Sequence, residues 1–352
     1  MWYNTEKSYE TFLKGTPPGT RVNSIHWFQK LVARQSLQLK RDFASLTEWE
    51  SYKRGMIPKL KDTIGFMDLP ASKASVSRGR GRVDEDVLVE RVDVYADDDY
   101  FIPAFVFSPY KKPAKKMPAL IWSPGYPQSK WEKSYELFAV RMARQGFVVL
   151  IADHAPFGET ASEDQPVLPT ITVVNAAGML LGYSQLALRA TENICCKEYL
   201  KRRDDVDDEK ITLAGLCQGG MDSWLAAAVD EEFFAAAPIC AASTYTAHMT
   251  EMSTYRVNAE TSPFPFGMLK VCDVEHLYGC IAPRPLLVRS NLPDDWWPVS
   301  GYNDLENFSS KIYSLYHAED QMNFRFAVNE HDLSNSFADD LEKWLLRING
   351  TE

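Results

Sequence analysis

From residue 86 onward the apolar residues fall into two kinds of run. Val87–Tyr95 and Tyr100–Phe107 alternate apolar and polar positions around a turn through Asp97-Asp98-Asp99, the period of a half-buried antiparallel hairpin. Later runs are short and nearly continuously apolar: Ala119–Trp122, Phe147–Ile151, Ile211–Ala214, Ala235–Ile239, Leu286–Val288 and Phe324–Ala327. Strands of that kind are covered on both faces, and helix-length segments separate them: Trp131–Arg144, Tyr183–Lys201, Met221–Ala228, Leu305–Tyr316 and Phe337–Leu346. The pattern predicts an α/β fold, with an antiparallel entry and a mostly parallel central sheet flanked by helices.

Two stretches depart from this rhythm. Residues 1–82 read as an N-terminal helical extension and linker preceding a catalytic domain over 83–352. Ile25, Phe28, Leu31 and Val32, then Leu46, Trp49 and Tyr52, recur at helical spacing, and the Ser-, Gly- and Arg-rich tract from Pro70 to Arg82 reads as the linker. The extension serves either as a cap or as a packing layer. The second stretch is the connection of about 45 residues between Ile239 and Pro285, far longer than a usual strand-to-helix loop. It reads as a lid insertion at about 241–280 over the strand ends, or as an extra packing layer.

Composition removes several function classes. With 38 Lys and Arg against 48 Asp and Glu the net charge is −10, which argues against nucleic acid or an anionic membrane as partner. No run approaches the roughly 18 apolar residues of a membrane span, and the first residues lack the order of a secretory signal. Six cysteines without a CxxC pair suit neither a disulfide scaffold nor a metal site, and Cys195-Cys196 reads as helix packing. A cytoplasmic enzyme acting on a small molecule is the expectation, and exposed helices are compatible with a homodimer.

The chemistry concentrates in Ile211-Thr212-Leu213-Ala214-Gly215-Leu216-Cys217-Gln218-Gly219-Gly220. An apolar strand runs into G-x-C-x-G-G and a helix follows, the pattern of a nucleophile elbow with sulfur in place of oxygen. The sharp turn needs small residues at Gly215 and Gly219. Cys217 at a helix N-terminus gains from free N–H groups and the helix dipole, and the Gln218 backbone N–H is a natural oxyanion donor.

Such a nucleophile requires a base and a group to orient it. Of the six histidines, His331 lies in the polar loop after the last strand, at the sheet end where open α/β sheets place their sites, and His154 after an earlier strand is its rival. His26 and His317 read as surface or packing residues. Asp294 and Asp295 stand just past the Leu286 strand as candidates for the orienting acid, giving the chain order nucleophile, acid, histidine.

From about residue 86 the chain resembles the α/β-hydrolases, and within them the branch of dienelactone hydrolases and acetyl-xylan-esterase-like proteins. The resemblance rests on Gly146-Phe147 leading to Asp153 and Gly158-Glu159, on Val206–Ile211 leading to Gly215–Gly220, on Ala282-Pro283-Arg284-Pro285-Leu286-Leu287, and on the His331 loop. It implies an α/β-hydrolase fold and selects Asp294, four residues before Pro298, as the acid. A cysteine elbow resembles dienelactone hydrolases in particular, since esterases of the branch mostly carry serine. Where the family usually has His-Gly, this chain has Ser123-Pro124-Gly125-Tyr126, so the second oxyanion donor falls to the Tyr126 N–H.

The resemblance and the motif together imply hydrolysis of an ester, lactone or thioester. A Cys217–His331–Asp294 triad would form a covalent thioester, with no metal or organic cofactor. An acyltransferase on the same triad and a non-catalytic ligand-binding protein remain the alternatives. Trp296, Trp297 and Phe157 are candidate substrate-binding residues, and Arg289 suggests a polar or anionic substrate group nearby.

Overall fold

A computed structural model describes residues 24–67, 69, 75–84, 86–111, 113–161, 167–251, 263–292, 297–328, 333 and 335–351. Among these residues nine strands form one sheet in the order β1-β2-β3-β5-β4-β6-β7-β8-β9. In chain order these are β1 (Ser75–Asp84), β2 (Val87–Tyr95), β3 (Phe101–Pro109), β4 (Met117–Ser123), β5 (Val148–Ala152), β6 (Val206–Leu216), β7 (Ala235–Ile239), β8 (Leu286–Leu292) and β9 (Met322–Val328). The first three strands and the β3–β5 pair run antiparallel, and every pair from β5 to β9 runs parallel. This is the α/β architecture, with an antiparallel entry and a parallel remainder, that the alternation of runs predicted.

Ten helices are described: α1 (Ser24–Leu39), α2 (Leu46–Ile64), α3 (Lys133–Arg144), α4 (Val167–Leu181), α5 (Gln185–Lys201), α6 (Gln218–Val229), α7 (Tyr245–Thr250), α8 (Val274–Ile281), α9 (Val299–Leu315) and α10 (Asn335–Asn349). One apolar cluster joins α5, α6, α8 and α9 to one face of the sheet, and a second joins α3 and α10 to the other. Both faces are therefore covered, which is why the parallel strands carry nearly continuous apolar runs.

One expectation is corrected and two open alternatives are narrowed. The tract over 75–82, read as linker, is the edge strand β1, paired with β2 through registers such as Arg80 with Glu90. Its Ser-Gly-Arg composition suits an exposed edge, and Arg80 and Arg78 also pair with Glu90 and Asp93. The polar helix stretch before it is a packing layer from Leu46 on: α2 buries Trp49, Met56, Leu60 and Ile64 in the main core. Ser45 caps its start by accepting the Glu48 N–H, and Gly65 in the left-handed region ends it. The back of the 241–280 insertion is likewise core, because α8 is buried between α6, α9 and Trp49.

The front of the insertion packs differently. Helix α7 lies against α1, where Gln29 Nε2 donates to the Thr250 carbonyl at 3.0 Å. An apolar cleft of about 580 Å³ between them is lined by Phe28, Leu31, Met249 and Phe264. Among the described residues no single helix is long and apolar enough to cross a membrane.

Candidate active site

Cys217 stands between β6 and α6 with φ +53° and ψ −114°, a conformation that side-chain-bearing residues adopt only under constraint. The constraint is visible on both sides. Its N–H donates to the Ile239 carbonyl at 2.8 Å, and its carbonyl accepts the Met221 N–H at 3.1 Å. A Cβ on Gly219 would lie 1.9 Å from the Ser123 carbonyl oxygen, and one on Gly215 2.3 Å from the Gly219 oxygen. Only glycine permits this crossing of strand, turn and helix, as the motif required.

The six cysteines separate cleanly. Cys217 is partly exposed, and the other five are buried. Burial pushes the Cys195 and Cys280 thiols up to about 12 and holds Cys196 and Cys272 well above the ordinary thiol range. The accessible sulfur is therefore the one at the N-terminus of α6, where unbonded N–H groups favour negative charge.

Gln218 opens α6, so its backbone N–H is among those without an intrahelical acceptor. The loop after β4 comes up beside it. A Cβ on Gly125 would sit 3.5 Å from Cys217 Cβ and 3.0 Å from the Leu216 oxygen. That places the backbone next to Tyr126 against the elbow. Gly125 N–H donates to the Tyr135 phenol oxygen at 3.3 Å, and Tyr135 in turn donates to Gln128. Burial, reinforced by the nearby Cys217 sulfur, raises the Tyr135 phenol above its ordinary range.

Asp294, Asp295, Trp296 and His331 lie outside the described residues. The strands that lead to them are described: β8 ends at Leu292 and β9 at Val328, and these two residues are register partners. β6, β7, β8 and β9 run parallel, so β8 and β9 end on the same side of the sheet as β6, which Cys217 follows. Leu333, two residues past His331, is buried in the apolar cluster that Cys217 borders.

The rival histidine has its own carboxylate. His154 Nδ1 lies 2.9 Å from Glu192 Oε2, Tyr100 donates to the other oxygen, and the Ala155 N–H donates to both at 3.3 Å. The His154 side chain is fully buried, and among the described residues its Nε2 meets no acceptor or donor, Cys217 included. Beside it, the Asp153 carboxylate accepts the Lys130 and Glu159 N–H groups and occupies the space a Gly158 side chain would need. This loop is thus pinned by interior polar contacts. His276 is a helix-cap residue at Asp273, His26 and His317 are exposed, and His248 packs between Phe264 and Trp297.

Phe157 and Trp297 are both buried: Phe157 meets Tyr126 edge-on at 5.4 Å, and Trp297 meets His248 at 5.5 Å. Arg289 is engaged by protein partners. It is buried, donates to Asp340 at 2.9 Å and to Asn323, and burial lowers its basicity against the pull of that carboxylate. The Ala-Pro-Arg-Pro string also finds a structural cause. Arg284 donates to the carbonyls of Ala227, Asp230, Phe233, Cys280 and Ile281, fastening the far end of α6. Sequence reading passed over Arg189, Glu192 and Asp222; their signal was a charge set inside an apolar helix face.

No protein-family model matches the chain. A candidate hydrolase of Bacillus subtilis (strain 168), YtaP, is 22% identical over 219 residues, covering 59% of this chain and 68% of that protein. The structure of methylesterase BT1017 superposes with a TM-score of 0.69 at 18% identity, over 92% of this chain and 68% of that one. A candidate acetyl xylan esterase of Bacteroides fragilis NCTC 9343 gives 0.69 at 15% identity, over 89% and 84%. At these identities the likeness establishes the α/β-hydrolase fold.

Proposed function

We propose that this chain is a hydrolase of carboxylic esters, lactones or thioesters that uses Cys217 as its nucleophile. One observation carries the reading: the accessible cysteine occupies the strained turn ahead of α6, with the Gly125–Tyr126 backbone laid against it. The names of the structural neighbours, a methylesterase and a candidate acetyl xylan esterase, favour ester substrates.

In this reading His331 takes the Cys217 proton and Asp294 fixes the His331 tautomer. The thiolate attacks the carbonyl carbon, forming the C–S bond and placing negative charge on oxygen. The Gln218 and Tyr126 N–H groups receive that charge, each donor worth roughly 3–4 kcal/mol in serine enzymes. Collapse expels the alcohol, which takes the proton from His331. Water, deprotonated by His331, then cleaves the thioester and restores the thiol. Sulfur leaves easily from the tetrahedral state, so activated acyl groups suit it better than amides. The parallel course of β8 and β9 alongside β6, and the burial of Leu333 in the apolar cluster that Cys217 borders, support His331 over His154.

The test is a panel of p-nitrophenyl esters, lactones and acyl thioesters assayed with wild type, Cys217→Ser and Cys217→Ala. Turnover is expected to vanish in the alanine variant, and a hydroxylamine-sensitive acyl adduct on Cys217 should be trapped by mass spectrometry in the wild type. Equal turnover in wild type and Cys217→Ala on every substrate would remove the covalent mechanism.

A further inference from the structure

Beneath the elbow lies a buried ion pair to which neither the motif nor the mechanism above gives a role. Arg189 of α5 is 1% exposed and Asp222, in the first turns of α6, is fully buried. The guanidinium approaches the carboxylate through Nε at 2.9 and 3.1 Å and through a terminal nitrogen at 2.7 Å. Its terminal nitrogens also donate to the Ala155 carbonyl at 3.4 Å and the Pro124 carbonyl at 3.3 Å. Ser123 Oγ donates to Asp222 at 2.9 Å. Phe157 lies over the guanidinium at 5.3 Å and meets Tyr126 edge-on.

One planar group therefore touches three separate pieces of the site: the loop after β4 that carries Tyr126, the loop after β5, and the helix that begins at Gln218. A buried pair of this kind adds little net stability compared with an apolar replacement, because desolvation offsets the attraction. What it supplies is geometry. The guanidinium fork is rigid, and its hydrogen bonds fix the distance from the Asp222 helix turn to the Pro124 carbonyl. Gln218 lies one turn before Asp222, and Tyr126 two residues after Pro124.

The geometry points to Arg189 and Asp222 as the positioning pair of the oxyanion hole, holding the Tyr126 N–H and the Gln218 N–H at one fixed separation. This assignment rests on the esterase reading above. It concerns the tetrahedral oxygen and not the sulfur. Loss of the pair therefore acts on acyl transfer while sparing simple alkylation of Cys217, which develops no oxyanion.

The test uses the full chain and four variants: Arg189→Lys, Ser123→Ala, Cys217→Ala, and the double variant Arg189→Met with Asp222→Leu. The double variant removes both charges together, so folding is retained where a single substitution would strand a charge. Circular dichroism and thermal melting establish folding, p-nitrophenyl acetate gives kcat and KM, and iodoacetamide gives the alkylation rate of Cys217. Displacing one oxyanion donor by about 1 Å lowers turnover by about 10²-fold. Arg189→Lys and the folded double variant are expected to lose about that much kcat with KM within about two-fold, and Ser123→Ala a smaller part of it. Alkylation should stay at the wild-type rate in all three. Wild-type kcat in Arg189→Lys and the double variant would overturn the assignment, as would an alkylation rate that falls in step with kcat. If Arg189→Lys fails to fold, the double variant and Ser123→Ala decide by the same readings. Undiminished turnover in Cys217→Ala is a different failure: it overturns the nucleophile, and the positioning role with it.

Discussion

The Cys217 N–H donates to the Ile239 carbonyl at 2.8 Å, tying the residue with the most constrained backbone in the β6–α6 turn to the end of the neighbouring strand. Leu216 and Ile239 are register partners, so the bond extends the β6–β7 ladder by one residue beyond the strand. The ladder holds the φ of +53° that would otherwise relax. Sheet pairing, and not the turn alone, thus presents the thiol.

The first prediction concerns that thiol. With five of six cysteines buried and Cys217 partly exposed, a disulfide reagent such as DTNB is expected to react fast with one thiol per native chain and with six in guanidinium. Buried thiols require an opening event before they exchange. Cys217→Ala should abolish the fast phase. A fast phase surviving in that variant would place the accessible sulfur elsewhere.

Glycine requirements differ sharply between two positions. A Gly219 Cβ would meet the Ser123 oxygen at 1.9 Å and has nowhere to go, because the neighbour is backbone. Gly219→Ala should destabilise the fold by at least about 3 kcal/mol. Gly55 is exposed within α2, and a Cβ there meets nothing within 4 Å. Gly55→Ala should stabilise by about 0.5–1 kcal/mol, since alanine restricts the unfolded chain and favours helix. Urea titrations at constant m-value measure both. Equal stability of the two variants would refute the reading of the elbow as a backbone crossing.

These contrasts show which parts of the molecule the sequence carried openly. The strand runs and the elbow were legible because local pattern determines them: apolar runs mark doubly covered strands, and the two glycines mark a close backbone approach. β1 was not legible, since its Ser75–Asp84 composition suits an exposed edge and has no apolar period to read. The role of α2 was half legible: Trp49, Met56 and Leu60 share one face, but nothing local says that the face meets Gly279 and Phe308, over 200 residues away. Arg284 showed as a motif without its reason, and Arg189 and Asp222 only as charges on helices with no role to read. Their meaning lies in partners brought together only by the fold.

A pH dependence follows from His276. Burial holds its imidazole below the ordinary value of 6.5, with Asp273 pulling the other way. The unfolded chain therefore binds more protons than the folded one between the depressed folded value and 6.5. Stability from this group is fully present above about pH 6.5 and is lost as pH falls toward the folded value, with a slope of at most about 1.4 kcal/mol per pH unit. His276→Gln keeps an acceptor for the Asp273 N–H, which His276 Nδ1 now receives at 3.3 Å, but does not titrate. Urea unfolding from pH 7 to 5 should show a shallower loss in the variant. Parallel curves would mean that His276 does not titrate differently on folding.

Arg289 offers the last check, because its position in the sequence and its position in the fold suggest opposite behaviour. Sequence proximity to the acid loop suggested recognition of an anionic substrate; the structure engages its donors with Asp340, Asn323 and the Val288 carbonyl. A guanidinium so occupied contributes to the joint between β8, β9 and α10, not to substrate charge. Arg289→Met should therefore lower stability by about 1–3 kcal/mol, the cost of leaving these acceptors without a donor. The partner Asp340 is partly exposed and can be rehydrated, which keeps the loss at that level. The ratio of kcat/KM for a carboxylate-bearing ester to that for its neutral counterpart should stay within about two-fold of wild type. A selective collapse of the anionic substrate, with stability unchanged, would instead place Arg289 at the substrate site.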